Sequence, residues 1–236
     1  MAGKLGLDIT KRGLEFCIDP SNTKSFISGD VMVKDIVGKQ DIDLYNGVLF
    51  DTNNLGSLYF DGASNYGYTS NSYDIFKSEL TYDVWVNRTS VANVYNIIYN
   101  TYLPYLGFQN TNKFIFSWYT TLAGVNTQRI IYSNNTYSDN TWYNITCTLF
   151  QDVSTGNCYC NMYINGILEN SVTLNSVLDA VHNATGSLRK MMIGAWNSTT
   201  PTYFFNGKIS TFKIYNKVLT SDEVLSNYNS SKNRFF

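Results

Sequence analysis

Phe205-Asn-Gly-Lys-Ile209, Ser210-Thr-Phe-Lys-Ile-Tyr-Asn216 and Lys217-Val-Leu-Thr-Ser-Asp-Glu-Val-Leu225 run on without a break, and their reading decides the fold. Residues 208–215 are rich in β-branched and aromatic side chains, which favour a strand. Thr220-Ser-Asp-Glu223 is a capping box, in which Thr220 accepts from the Glu223 amide and Glu223 reaches back. Leu219 before the cap and Val224 after it fit a hydrophobic staple. Val224, Leu225 and Tyr228 then share one face. A helix of about two turns needs a sheet to pack on.

Period two dominates the rest of the chain. Leu14, Phe16 and Ile18 alternate with Glu15 and Cys17 until Pro20 stops the strand. Leu58 and Phe60 alternate with Ser57, Tyr59 and Asp61 before Gly62. In 80–86, Leu80, Tyr82, Val84 and Val86 fall on one side and Thr81, Asp83 and Trp85 on the other. Further strands are predicted at 97–99, 105–108, 114–118, 129–132, 142–150, 157–164, 167–174 and 191–195. Asn165-Gly166 between two such runs is a hairpin signal, because a type I′ turn needs two positive φ angles. Turn residues recur at short intervals, the pattern of an all-β sandwich or jelly roll. No linker or compositional break divides the chain. It reads as one domain, 13–229, between an N-terminal arm 1–12 and a tail 230–236.

Composition narrows the function classes. The 236 residues carry 17 Lys+Arg against 18 Asp+Glu, and only 15% are charged. Sequence-independent nucleic-acid binding needs a concentrated basic surface and is not expected. Hydrophobic residues make up 44% and Asn about one residue in eight, enough for a core, strands and turns. Neither a membrane-length apolar run nor a signal-peptide core is present, so no membrane association and no secretion are expected. The Asn-x-Ser/Thr matches at Asn87, Asn134, Asn144, Asn183, Asn197 and Asn229 are then expected to stay unmodified. Cys17, Cys147, Cys158 and Cys160 lack the paired spacing of a zinc site and read as small buried thiols. A hairpin around loop 151–156 would set Cys147 opposite Cys160. A disulfide is within reach there, although a reducing compartment keeps such thiols apart.

These pieces, in this order, resemble the laminin G-like, concanavalin A-like jelly-roll family. Gly56-Ser-Leu-Tyr-Phe-Asp-Gly62 looks like its L-x-F-D-G strand, and Tyr82-Asp-Val-Trp-Val86 like its x-x-x-W-V strand. Asn140-Thr-Trp142-Tyr143 and Tyr163-Ile-Asn-Gly166 look like its W-x-x-V…Y-x-N-G hairpin, and Met192-Ile-Gly-Ala195 like its I-G strand. The 205–225 stretch with Tyr228 looks like its closing strand and capped helix. The resemblance spans 14–229. It implies an all-β, antiparallel jelly-roll β-sandwich with one short C-terminal helix, and core positions for Trp85 and Trp142. The two ends resemble, more narrowly, laminin G-like domains of tailed-phage virion proteins. They are Gly13-Leu-Glu-Phe-Cys-Ile-Asp-Pro20 through Phe26, and Asn227-Tyr-Asn-Ser-Ser-Lys-Asn-Arg234-Phe235. Phe26 stands where those domains have Tyr, and 31–48 departs from their short loop.

The same fold carries glucanases, whose retaining chemistry needs two carboxyl groups about 5–5.5 Å apart. One strand supplies them through carboxylates at i, i+2 and i+4. None of the four glutamates, Glu15, Glu79, Glu169 and Glu223, lies in such a motif. Asp41-Ile-Asp43 lacks a third carboxylate and reads as solvated loop. His182, the single histidine, is joined by no G-x-S-x-G serine. No enzyme is expected. Sugar binding needs aromatic faces for pyranose C–H groups and amides or carboxylates for hydroxyls. Trp118, Tyr119, Trp196 and Asn197 are the candidates for that role. Asp51, Asp61 and Asp139 are turn carboxylates that could serve calcium, which wants several oxygens at once.

Phage-like ends on an unsecreted lectin-like domain imply a virion structural protein, on capsid or fibre, assembled in the host cytoplasm. Its expected partners are other virion proteins, with host or mucus glycans and further copies of itself in addition. Residues before Gly13 and after Tyr228 would be docking arms, with Lys4, Lys11, Arg12, Lys232 and Arg234 facing an acidic surface. Frayed, solvated ends are the opposite reading. The alternative function is a free-standing bacterial glycan-binding or adhesin module, and the third a glucanase-type glycosidase.

Overall fold

Strands that are apolar on one face must bury that face against a second layer. The computed structural model describes residues 10–69, 71, 78–90, 95–100, 104–178, 190–196 and 200–236. In chain order the strands are β1 (Leu14–Ile18), β2 (Met32–Val33), β3 (Ile42–Tyr45), β4 (Leu49–Asp51), β5 (Ser57–Asp61), β6 (Tyr66–Thr69), β7 (Glu79–Arg88) and β8 (Tyr95–Asn100). They continue with β9 (Tyr105–Gln109), β10 (Phe114–Leu122), β11 (Val125–Tyr132), β12 (Trp142–Asp152), β13 (Asn157–Ile164), β14 (Ile167–Asn175), β15 (Val177–Leu178), β16 (Met192–Ile193) and β17 (Asn206–Tyr215). Helix α1 (Ser221–Ser231) follows.

Two antiparallel sheets result. Sheet A runs β14-β13-β12-β7-β17-β5-β4, with β1 added on β17. Sheet B runs β11-β10-β9-β8-β16-β6-β3-β2, with β15 added on β10. This is the expected jelly-roll sandwich. Leu80, Tyr82, Val84 and Val86 of β7 meet Phe108, Phe114, Phe116 and Trp118 of sheet B in the core between the sheets. The Asn165-Gly166 turn forms as expected, with φ of 53° and 78°.

Several expectations are corrected. β12 and β13 pair as far as Asp152↔Asn157, so that β12 runs two residues into the assumed loop 151–156. The register therefore sets Cys147 opposite Met162, and Leu149 opposite Cys160. All four cysteines are free and buried. In Asp41-Ile-Asp43 only Asp41 is outside a strand, since Ile42 begins β3 and pairs with Thr69. The hairpin at Ala123-Gly124 was not anticipated; it too turns through two positive φ angles, 50° and 78°. Alanine hides the signal because it rarely adopts that conformation.

Trp85 and Trp142 are buried, but on the outer face of sheet A, where they cluster with Phe235 and half-buried Tyr228. Helix α1 covers this face. Its capping box is complete, with the Glu223 amide donating to Thr220 Oγ1 at 3.3 Å and the Thr220 amide donating to Glu223 Oε2 at 3.0 Å. Leu219 and Val224 pack together as the staple predicts. The helix is longer than expected, with 11 residues, and buries Val224, Asn227 and Ser231, whereas Leu225 stays exposed.

Asn227 is buried because it completes a polar cluster. Asp83 accepts from Lys213 Nζ at 3.3 Å, Asn144 Nδ2 at 2.7 Å and Asn227 Nδ2 at 3.2 Å. Both ionised side chains are 1% exposed. Asn227 Oδ1 accepts in turn from the Thr10 amide.

The tail 230–236 is packed against the outer face of sheet A and is not a frayed end. Ser231 accepts from the Trp85 indole at 2.9 Å, and the Phe235 ring stacks on Trp85 at 4.1 Å. Arg234 donates to Asp19 at 3.2 Å, to Thr211 at 3.1 Å and to Ser210 at 3.0 Å. Ser210 and Thr211 occupy a bulge in β17, between Ile209 and Phe212. The bulge turns both consecutive hydroxyls toward one guanidinium. The two ends of the domain are thus bonded to each other through Asp19 and Arg234. Residues 1–9 lie outside the described residues.

Candidate functional site

Along β10 the alternation splits the aromatic residues. Phe114, Phe116 and Trp118 point into the core; Ile115 and Tyr119 point to the outer face of sheet B. Trp118 is 1% exposed and lies within 5.8 Å of the Phe116 ring, so it is removed from the binding candidates. A two-residue period allows no other outcome once Phe116 is inside.

Tyr119 and Trp196, far apart in sequence, are brought together. Both pack on the outer-face cluster of Ile97, Tyr105 and Ile115, along with Ile130 and Tyr132. Beside this cluster is a cleft of about 220 Å³ lined by Ile97, Tyr105, Gln128, Ile130, Trp196 and Tyr203. Tyr119 borders the cluster without lining the cleft. Asn197 lies outside the described residues, as does His182.

The backbone explains how Trp196 arrives there. Gly194 has φ of 79°, and a Cβ at that position would come within 2.4 Å of the Phe60 ring. Only glycine fits this turn. Trp196 and Thr202 then exchange two backbone hydrogen bonds of 2.8 Å. Next comes Tyr203, with φ of 51°. Such a conformation costs a tyrosine about 1–3 kcal/mol and persists where surrounding structure enforces it. It sets the Tyr203 ring 5.8 Å from Trp196, at 47°. The Ile97 amide holds the turn by donating to the Tyr203 carbonyl at 3.0 Å.

Tyr105, Gln128, Ile130 and Tyr203 were not singled out from the sequence. Gln128 and Ile130 reach the cleft through the β10–β11 register, which pairs Tyr119 with Gln128 and Ser117 with Ile130. The alternating pattern of 125–132 was the available signal.

A second aromatic group shares the outer face of sheet B. Tyr45, Tyr66 and Tyr68 lie within 15° of parallel, with centroids 4.5–5.8 Å apart. Lys190 covers the Tyr68 ring at 4.3 Å. A hydrogen bond to Tyr68, with some burial, pushes the Tyr45 phenol up to about 12. The rings of this group stack on one another, whereas Tyr203 of the Trp196 cleft is 40% exposed.

The three carboxylates proposed for calcium are each engaged elsewhere. Asp51 pairs with Lys208 and accepts from the Asn53 amide. Asp61 accepts from the amides of Ala63, Ser64 and Asn65 at 2.8–3.0 Å. Burial alone would raise its pKa, but these donors hold it down at about 2. Asp139 is the counter-ion of buried Arg88, which also donates to Asn112 and lies 4.3 Å over Phe108. Among the described residues no three His, Cys, Asp or Glu side chains converge.

Compared with known proteins, residues 61–225 match the model of the concanavalin A-like lectin/glucanases superfamily, laminin G type. The chain belongs to that superfamily. None of the curated proteins matches it. Among solved structures it resembles the receptor-binding domain of botulinum neurotoxin type G, at 16% identity and a TM-score of 0.63, over 92% of this chain and 51% of the other. The binding domain of paraclostridial mosquitocidal protein 1 superposes with a TM-score of 0.65 at 16% identity, over 92% and 52%. The binding domain of botulinum neurotoxin DC, solved in complex with SialylT, superposes at 0.64 with 13% identity, over 92% and 51%. At these identities the likeness is one of fold, and the chain spans about half the length of the structures it matches.

Proposed function

We propose that this protein is a glycan-binding jelly-roll module, working by recognition rather than catalysis, and displayed on a tailed-phage particle. The observation that carries the binding reading is the Trp196 cleft. Two aromatic rings, Trp196 and Tyr203, stand over an isoleucine floor at the outer face of a sheet, and one of them is held there in a strained backbone. Convergent aromatic and polar groups in a concave site are what a small ligand needs. The virion reading draws support from the paired ends of the sequence, which resemble phage domains. In this fold those ends form an internal clasp, so attachment to the particle falls to another surface.

A glycan array with the purified protein tests the first half. Binding that is lost in Trp196→Ala and kept in Trp118→Phe is expected; no binding to any sugar would sink it. Mass spectrometry of purified particles tests the second half, and absence of the chain from them would end it. A free-standing bacterial adhesin module is the second reading. The likeness to binding domains of bacterial toxins favours it, and it would be preferred if the particle test failed while glycan binding held.

A further inference from the structure

We propose that the Trp196 cleft selects glycans carrying a 2-acetamido group, that is N-acetylhexosamines, over plain hexoses. This inference rests on the glycan reading above and narrows it to a ligand class. The described lining residues are Ile97, Tyr105, Gln128, Ile130, Trp196 and Tyr203. They include no carboxylate, lysine or arginine. An unmodified hexose is hydroxylated around its ring and needs many polar partners, and each hydroxyl buried without one is penalised. A sugar carboxylate would meet no cation among these described residues. Apolar surface with a single side-chain amide suits a ligand that is itself partly apolar and carries an amide.

The orientation of Gln128 sharpens the match. The Ser117 hydroxyl has one proton and donates it to the Arg129 carbonyl at 2.9 Å. Toward Gln128 it can therefore only accept. Gln128 accordingly turns its Nε2 inward, donating to Ser117 at 2.9 Å and approaching the Tyr105 hydroxyl at 3.5 Å. Its carbonyl oxygen is the atom left over, and no donor among the described residues reaches it. An acetamido N–H supplies that donor. The acetyl methyl then has Ile97 and Ile130 to rest on, while the pyranose ring stacks on Trp196 or Tyr203. The methyl contact and one satisfied amide bond together correspond to a preference of about 10- to 30-fold.

The matched probes are N,N′,N″-triacetylchitotriose and cellotriose, which differ only in bearing acetamido or hydroxyl at C2. Calorimetric titration of the full chain is expected to show the acetylated trisaccharide binding at least about tenfold more tightly. Gln128→Met, which keeps the bulk and removes the acceptor, is expected to cut that ratio to within about threefold. Trp196→Ala is expected to abolish both bindings. Equal or tighter binding of cellotriose, still dependent on Trp196, would overturn the acetamido inference and leave the glycan reading standing. Failure of both trisaccharides, with a glycan array that finds another Trp196-dependent sugar, would also overturn it. Failure of both with an empty array would remove the two readings together. The comparison of the two sugars uses the unaltered protein, so it does not depend on any variant folding.

Discussion

The two outer faces of the sandwich are built from the same kind of strands and treated in opposite ways. The outer face of sheet A is closed. Helix α1 and the tail lie on it, and beneath them a Lys213–Asp83 ion pair and an Asp19–Arg234 pair are shut away from water. The outer face of sheet B carries its own buried cluster of Ile97, Tyr105 and Ile115, and leaves a cleft beside Trp196. The difference teaches where stability and recognition are separated. A buried charge pair is costly to desolvate and tolerable only when every lone pair and proton is met. Asp83 meets that condition with three donors. Open aromatic surface is tolerated by a protein mainly where a ligand covers it.

This contrast can be broken from the closed side first. Asp83→Ala leaves the Lys213 ammonium buried without its partner and is expected to destabilise by about 3–5 kcal/mol in urea unfolding. Replacing the pair together, as Asp83→Leu with Lys213→Met, should recover much of that loss. A loss below about 1 kcal/mol for Asp83→Ala would mean that water reaches the pair.

Phe235→Ala removes the ring that stacks on Trp85 and lies 4.6 Å from Trp142. It is expected to cost about 3 kcal/mol, read as a lowered melting temperature together with a red-shifted tryptophan emission. An unchanged melt would return 230–236 to the status of a loose tail.

On the open face the order of effects reverses. Trp196→Ala is expected to lower stability by only about 1–2 kcal/mol while glycan binding disappears. A larger loss of stability than that of Phe235→Ala would mark Trp196 as a core residue.

The smallest effect concerns pH. Asp61 titrates below the ordinary carboxylate value in the folded state, at about 2. The unfolded chain therefore binds the proton first, and the contribution of Asp61 is complete above about pH 4 and is lost as pH falls toward 2. The urea midpoint of the wild type should fall through that window more steeply than that of Asp61→Asn. Parallel curves would contradict the tight turn drawn around this carboxylate.

Much of this architecture was legible in the residues. The capping box at Thr220 and the Asn165-Gly166 hairpin depend on neighbours a few positions away, and both form as read. What failed depended on pairing. Cys147 and Cys160 missed each other because β12 runs two residues longer than its turn signals suggested. Asn227 and Ser231 were not singled out, yet they are buried because Asp83 and Trp85 come from a strand more than 140 residues earlier. Leu49–Asp51 and Tyr66–Thr69 offered little alternation, and their strands exist because neighbours supply edges to pair with. Of the four aromatic and amide candidates, one belongs to the core, two to the outer cluster, and Asn197 lies outside the described residues.

By itself the sequence determined which residues alternate, where the chain turns and where the helix begins, because those follow from local sterics and hydrogen bonding within a few residues. Which face of each sheet would be covered, which tryptophan would be locked inside and which would border a cleft were decided only by the tertiary structure. Period-two alternation assigns side chains to two faces without naming them inner or outer. That assignment is made when strands far apart in the chain pair in one register, and a helix closes one face while the other keeps a cleft.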